Sequence, residues 1–389
     1  MVGWQASFPC CVAALLLGCG GDRDHTAISP VATELSLVTF NVALGVGLSP
    51  YLEQRLDVIE ADLPGLGADV VCMQELWRPE DIARLSASLG TAFPYAHWSV
   101  QAEGDAEAAG PSCSSEEADT LQTCVEENCA EVDPAVLPLC AITSCQVIFS
   151  EVSTECQQCL ASNQSATDIT SLTALCAADD AVALSYRDQT GLLLLSRFPL
   201  TDTDYLTLDS SLGDRGVLSA RLETSFAGLV DLHCTHLAAS IGEELYQGPY
   251  GSWEGERSIQ IEQMLDHVDT RNPGDTPTLL LGDMNCGPAT AQASAASGDA
   301  FARFETAGFD APYVTDDGRC TFCANNPLND FPAGGDAGVI LDHVLLRNLS
   351  SAATGGVRVF DEAIEIDDGG VVQTSRSDHY GVQVAIAPP

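Results

Sequence analysis

The sequence contains no lysine. All 15 basic residues are arginine, set against 56 acids, and the formal net charge is −41 at pH 7. A protein that neutralises nucleic-acid phosphates needs a basic face, so this balance argues against a nucleic-acid partner. No basic residue lies between Arg84 and Arg187. A local groove built from Arg187, Arg197, Arg215 and Arg221 is the one arrangement that would bring such a partner back. The surface is instead expected to be strongly solvated and attractive to divalent cations. Beyond the N-terminus, no segment is long and apolar enough to span a bilayer.

Cysteine, by contrast, is abundant. Sixteen in 389 residues is too many for an ordinary cytosolic protein and implies export. The run Ala13-Ala-Leu-Leu-Leu-Gly-Cys19-Gly has the pattern of a bacterial lipoprotein signal, so residues 1–19 read as a signal peptide. Cleavage there would leave a lipidated Cys19 that anchors the chain to a membrane without spanning it. Met1 to Cys10 holds no Lys or Arg, so the usual positive start is missing, and ordinary secretion and a misplaced start are the other readings. Residues 20–33 form a polar linker. The remainder, 34–389, is expected to be one domain, and its 46% hydrophobic content permits a substantial core.

Strand patterns open this domain. Glu34 to Val42 alternates and ends near Asn41; Ala68 to Trp77 is a buried run that closes on Glu75. Helical spacing covers Tyr51–Leu66 and Pro79–Leu89, and Phe93–Trp98 reads as an edge strand. The composition then changes. Residues 103–180 hold eight cysteines (113, 124, 129, 140, 145, 156, 159 and 176), many acids and no histidine, which favours disulfides over zinc. This stretch is read as a disulfide-rich, helical insertion. Strands resume at Thr190–Pro199, where four consecutive leucines require burial on both faces, then at Arg215–Glu223 and Gly228–Leu237. A helix over Ser252–Thr270 precedes Thr278-Leu-Leu-Leu-Gly-Asp283-Met-Asn285. A short helix over Phe301–Gly308, a small Cys320–Cys323 disulfide, and strands at Gly338–Arg347, Val357–Phe360 and after Ser375-Arg-Ser-Asp378-His379 complete the chain.

Polar residues gather at the ends of these strands. Asn41, Glu75, His236, Asp283, Asn285, Asp342, Asp378 and His379 each lie in or at the end of a core strand, where a buried polar group costs stability unless something pairs with it. Each alone has an ordinary explanation: Asn41 and Asn285 suit turns, Glu75 a helix start, and His236 a satisfied core position. Together they suggest one site at a sheet edge. Hard carboxylate oxygens suit magnesium, manganese or calcium. Two histidines suit proton transfer near neutrality. With no serine or cysteine nucleophile motif, the set points to metal-assisted attack by water.

The order Thr-Phe-Asn41, Gln-Glu75, Thr-His236-Leu, Gly-Asp283-Met-Asn285, Asp342-His343 and Ser-Asp378-His379 resembles the endonuclease/exonuclease/phosphatase superfamily. The resemblance runs from about Glu34 to Ile386. It implies a four-layered α/β sandwich, with two packed mixed β-sheets flanked by helices. It also implies a magnesium-dependent phosphodiesterase in which Glu75 is the principal metal ligand, assisted by Asn41, with Asp378 binding a second metal or tuning the first. His236 would contact the scissile phosphate, Asn285 would hold it, and Asp342 would fix the tautomer of His379. Asp283 and His379 are alternative general bases. His343 falls on the outward side of its strand.

Phe93-Pro-Tyr and Gly248-Pro-Tyr-Gly-Ser-Trp-Glu-Gly-Glu-Arg257 resemble the secreted sphingomyelinase branch. They suggest a phospholipid substrate and a monomeric, exported enzyme. Tyr246, Tyr250 and Trp253 could form a membrane-contact loop or could simply pack the loop together. A secreted magnesium-dependent endonuclease is the alternative. A surface binding protein on an inactive enzyme scaffold is a third reading, which predicts loss of a site residue.

Overall fold

Alternation in the strands decides how this chain layers. The structure, a computed structural model, describes residues 34–45, 49–99, 111–130, 144–153, 156–157, 159–160, 169–178, 190–211, 213–240, 246, 248–272, 274–329, 338–349 and 353–387. The first sheet contains β1 (Leu35–Asn41), β2 (Val70–Gln74), β3 (Tyr95–His97) and β4 (Leu193–Ser196). The second contains β5 (Thr201–Leu208), β6 (Arg215–Thr224), β7 (Gly228–His236), β8 (Thr278–Asp283) and β9 (Asp342–Arg347). Next, β10 (Ala353–Val359) joins the first sheet, β11 (Ile364–Asp367) and β12 (Val371–Thr374) form a separate hairpin, and β13 (Gly381–Ile386) returns to the first sheet. The orders are β10-β13-β1-β2-β4-β3 and β5-β6-β7-β8-β9, so both sheets are mixed and β3 is an edge strand as expected.

Residues of one parity fill the space between the sheets: Leu35, Leu37, Val70, Leu192 and Leu194 meet Leu218, Leu232, Leu279, Leu281 and Val344. The other parity faces outward and is covered by helices. Val38, Phe40, Val71, Leu193 and Leu195 pack under Leu56 and Ile59 of α1 (Leu52–Asp62) and under Ile82 and Leu85 of α2 (Pro79–Ser88). The four consecutive leucines that lead through β4 are therefore buried on both faces, two on each. Helices α3 (Ser115–Asn128), α4 (Gln146–Glu151) and α5 (Ile169–Cys176) belong to the cysteine-rich stretch. On the far side, Val217, Leu280 and Leu345 pack under Ile261, Met264 and Val268 of α6 (Trp253–Arg271) and Phe301 and Phe304 of α7 (Gly298–Thr306). A short α8 (Pro312–Asp316) follows. This is the four-layered α/β sandwich expected from the sequence. Each fully buried Leu or Val contributes roughly 1.5–3 kcal/mol.

One covalent link crosses the layers. Cys72 of β2 and Cys234 of β7 form a disulfide between the sheets, 162 residues apart in sequence, which composition gave no means of pairing. In the cysteine-rich stretch, Cys113–Cys156, Cys124–Cys145 and Cys159–Cys176 are disulfides around a small core of their own with Leu121 and Val125. Helix α3 starts on a capping box, with Ser114 and Glu117 each bonding the other's backbone N–H. Cys320–Cys323 is also paired, and Cys286 is a buried free thiol.

Some expectations change. The Tyr51–Leu66 helix becomes 3₁₀ from Leu63, and the Phe301–Gly308 helix begins earlier, at Gly298. Strand β5, the β11–β12 hairpin and α8 were not legible in the sequence. Among the described residues no helix is long and apolar enough to cross a membrane. Residues 1–33, with Cys19, lie outside the described residues.

Candidate active site

Parity also builds the site. Along β1, β7, β8 and β9, the residues facing the opposite sheet end in Asn41, His236, Asp283 and Asp342 respectively. Register sets three of these side by side, because His236 pairs with Asp283 across β7 and β8, and Asp283 pairs with Asp342 across β8 and β9. Gly282 lets β7 come this close, since a Cβ there would lie 2.2 Å from the Thr235 carbonyl oxygen. Glu75 breaks the pattern. By alternation it would face outward, but its φ of 62° turns the chain out of β geometry just beyond β2. Its carboxylate then accepts Asn41 Nδ2–H at 3.0 Å.

Asn41 is the hinge of the cluster. Its Nδ2 donates to Glu75 and also to Asp283 Oδ2 at 3.0 Å, while its Oδ1 accepts the Ala43 N–H. The expected metal-assisting residue thus acts here as a bridge between two carboxylates, with its oxygen turned to the backbone. The opposite orientation of the amide would set an oxygen against both carboxylates. Asp283 Oδ1 accepts Asn285 N–H at 2.8 Å, and Asn285 Nδ2 donates to Leu237 O at 2.9 Å. His379 Nδ1 bonds Asp342 Oδ2 at 2.8 Å, and its Nε2 lies 3.9 Å from Asp283 Oδ2. His236 Nε2 lies 3.5 Å from Asp283 Oδ2 and 3.9 Å from Glu75 Oε1. Asp378 is only half-buried, and its charge acts on Glu75. All eight sequence-predicted residues therefore come to one end of the two sheets.

The electrostatics follow from burial and crowding. Burial, then the neighbouring Asp378 charge, raises the Glu75 pKa. Burial and the Asp342 carboxylate push Asp283 up to about 7. Burial disfavours charge on His379, yet Asp342 and Asp283 outweigh it and hold that imidazole well above its ordinary value. Burial and the Arg215 guanidinium hold His236 well below it. The two histidines are thus driven in opposite directions. Asp283, Asp342 and His379 also converge closely enough to hold a cation. In that trio His379 Nδ1 and Asp342 Oδ2 bond each other, which leaves His379 Nε2 and Asp342 Oδ1 facing elsewhere in the cluster.

Several contributing residues escaped the sequence reading. Arg55 of α1, fully buried, donates to the carbonyls of Pro50, Val42, Ala43 and Arg376. It clamps the loop after Asn41 to the loop before Asp378. Thr321 Oγ1 accepts the N–H groups of Leu341 and Asp342, and Phe322 packs on His379 with ring centroids 4.9 Å apart. Arg215 Nη1 lies 2.6 Å from His236 Nδ1. No local pattern signals these roles, because each depends on a partner distant in sequence.

Other expectations are refined or corrected. His343 does lie on the outward side of its strand, where it is buried against Phe301 and bonds Cys286 O at 2.9 Å. The Tyr246–Tyr250–Trp253 loop is packed together rather than presented to a membrane. Trp253 is buried and stacks edge-on with Tyr246, and Tyr250 Oη donates to Asp209. Nor, among the described residues, do the arginines form a basic groove. Arg197 faces Asp69, Arg221 pairs with Asp202 and Asp231, and Arg215 belongs to the site; Arg187 lies outside the described residues.

Known proteins share this architecture. Sphingomyelinase C from Streptomyces griseocarneus superposes with a TM-score of 0.55 at 18% identity, covering 91% of this chain and 99% of that one. Beta toxin from Staphylococcus aureus, in a doubly substituted mutant form with bound magnesium ions, gives 0.56 at 15% identity, covering 91% and 100%. Truncated TDP2 from Caenorhabditis elegans gives 0.51 at 12%, covering 91% and 98%. At such identities these likenesses establish the fold alone. No curated protein matches the chain in sequence. A match to the endonuclease/exonuclease/phosphatase family nevertheless extends over residues 38–379, from β1 to the histidine of the buried dyad. The chain that assembles these carboxylates, amides and histidines at one sheet end thus belongs to the endonuclease/exonuclease/phosphatase family, and is a phosphoester hydrolase.

Proposed function

We propose that the protein is an exported, divalent-metal-dependent phosphodiesterase of the sphingomyelinase type. One observation carries the chemistry: a His379–Asp342 dyad, an Asp283 poised near neutrality and a Glu75 with no arginine ion pair among the described residues meet at one point. The fold shared with two bacterial proteins, one of them a sphingomyelinase C by name, supports the lipid substrate. The disulfides support an oxidising compartment, and Cys19 is the proposed anchor.

The residues present fit a hard cation. Glu75 and Asp378 repel each other, and among the described residues no arginine forms an ion pair with either. Asp342 Oδ1 is buried without a hydrogen-bond partner. We assign the ion to Glu75, with Asp378 as the second carboxylate, because these two carboxylates crowd each other and neither is held by an arginine ion pair among the described residues. Bound magnesium would supply charge neutralisation at the phosphate.

The chain's own groups divide the remaining work. Asp283 takes the proton of the attacking water, since a base near pH 7 suits that task. His379, held charged by Asp342, donates from Nε2 towards the leaving oxygen. His236 and Asn285 hold the non-bridging phosphate oxygens. The test compares pure protein on sphingomyelin vesicles, plasmid DNA and bis-p-nitrophenyl phosphate, with magnesium and with EDTA. Magnesium-dependent release of phosphocholine is expected; cleavage of plasmid but not lipid would replace this substrate with the endonuclease alternative. No activity on any phosphodiester would favour the inactive-scaffold reading, although no site residue is lost.

A further inference from the structure

We infer that Arg215 is a positioning residue: it fixes His236 as a neutral imidazole whose single proton sits on Nε2. The argument begins with hydrogen-bonding capacity. A guanidinium has five N–H donors and no acceptor, and it does not lose its charge. Arg215 Nη1 lies 2.6 Å from His236 Nδ1. That contact is attractive only if Nδ1 offers a lone pair, so the ring proton must be on Nε2. A Nδ1–H tautomer, or a doubly protonated ring, would set N–H against N–H at that distance.

The surroundings leave the pair little freedom to rearrange. Arg215 is 8% exposed and His236 2% exposed. Trp77 packs against both, with the guanidinium 5.5 Å from its ring and the His236 ring 6.2 Å from it. Arg215 opens β6, and the neighbouring register with β7 (Val217 opposite Thr235) holds it beside His236. From there Nε2 faces Asp283 Oδ2 at 3.5 Å and Glu75 Oε1 at 3.9 Å, the place where a phosphate oxygen would lie in the proposed reaction. His236 is thus a fixed hydrogen-bond donor and never a base. The two histidines of the site are told apart by what holds Nδ1. An arginine makes one a neutral donor, and a carboxylate makes the other a proton carrier.

The catalytic consequence rests on the phosphodiesterase reading, whereas the tautomer does not. The experiment therefore reads both. Two-bond ¹⁵N–¹H correlation spectra of the full chain, labelled at histidine, report which ring nitrogen carries hydrogen. Only seven histidines contribute, and His236→Gln identifies the relevant signals. The wild-type protein is expected to show an unprotonated Nδ1 and a protonated Nε2, with and without magnesium. Arg215→Met should lose that pattern and lower kcat by about 10- to 100-fold, as removal of other outer hydrogen-bond partners does, with KM within about twofold. Arg215→Lys should restore the pattern and part of kcat. A wild-type His236 carrying hydrogen on Nδ1 would overturn the inference, as would Arg215→Met retaining the Nε2–H pattern or wild-type turnover. Should Arg215→Met fail to fold, the wild-type spectrum and Arg215→Lys decide it. A correct tautomer in a protein that cleaves no phosphodiester would sink the function but leave the Arg215–His236 pair intact.

Discussion

The two ends of the β7–β8 pair are built from the same residue types and behave in opposite ways. At one end, where Asp231 pairs with Thr278, a buried Asp231 meets His233 at 2.8 Å, Arg271 at 3.4 Å and Arg221 at 3.7 Å, and accepts a hydrogen bond from Asn272. Burial opposes its charge, yet His233 and Arg271 prevail and hold its carboxyl below the ordinary value. At the other end, where His236 pairs with Asp283, burial and Asp342 push the Asp283 carboxyl up to about 7. Aspartate, histidine and asparagine occur at both. Ser219 even bonds His233 Nδ1 at 2.9 Å, a serine–histidine–aspartate chain with every member sealed from solvent. Residue type therefore does not mark the site. Uncompensated charge beside a half-open Glu75 marks it.

The contrast can be broken by substitution. The largest effect is expected at the uncompensated end: Glu75→Gln, Asp283→Asn and His379→Ala should each lower kcat by about 10²-fold or more, with thermal unfolding showing the fold retained. Wild-type turnover for Glu75→Gln in magnesium would refute the metal assignment. At the compensated end the loss should fall on stability. Asp231→Asn strands buried positive charge and should cost about 3 kcal/mol in denaturant unfolding, leaving kcat unchanged; a fall in turnover at full stability would erase the distinction.

The carboxylates around Glu75 repel one another, so magnesium at about 100 times its Kd should stabilise the protein by about 2.7 kcal/mol, and EDTA should remove the gain. Glu75→Gln should show a smaller response, whereas Asp231→Asn should respond fully. The next effect is on pH. Because the Asp283 pKa lies above its ordinary 3.8, at about 7, the fold holds that proton more tightly than the unfolded chain does. This contribution to stability is present at low pH and lost between about pH 4 and 7. Activity should run the other way, rising through about pH 7 as the base ionises; a limb unmoved in Asp283→Asn would assign it elsewhere. Smallest of all, Arg197→Ala breaks a 3.6 Å pair with Asp69 at the surface and should change stability by under about 1 kcal/mol, with activity untouched.

How much of this was readable in the sequence depends on the range of the determining contact. Leucine runs and alternation revealed strands of both sheets, and with them the placement of Asn41, His236, Asp283 and Asp342 in or at the ends of core strands. Glu75 was identified, but the left-handed turn that aims it was not, since Glu carries no preference for positive φ. Strand β5 went unseen because its Thr-Asp-Thr-Asp opening is exposed and polar, as suits a sheet edge that must resist further pairing. Arg55 and Arg215 were invisible as functional residues. An arginine's role is set by the carbonyl or imidazole it reaches, and those partners come from other parts of the chain. His343 lies on the outward side of its strand as read, but its burial was not legible: the covering helix, not the strand, decides whether an outward side chain meets water.

The inter-sheet disulfide has a consequence for the chain as a covalent object. Cys72 and Cys234 close a ring, and the whole cysteine-rich stretch from 103 to 180 lies within it. A protease cutting there would open the ring without parting the molecule: the fragment with Asn41 and Glu75 and the fragment with the other six site residues would stay tied between the sheets that hold them. Such a nicked protein would run as one species without reductant and as two with it. The stretch richest in cysteine is thus one whose backbone can be cut while the chain stays a single covalent molecule.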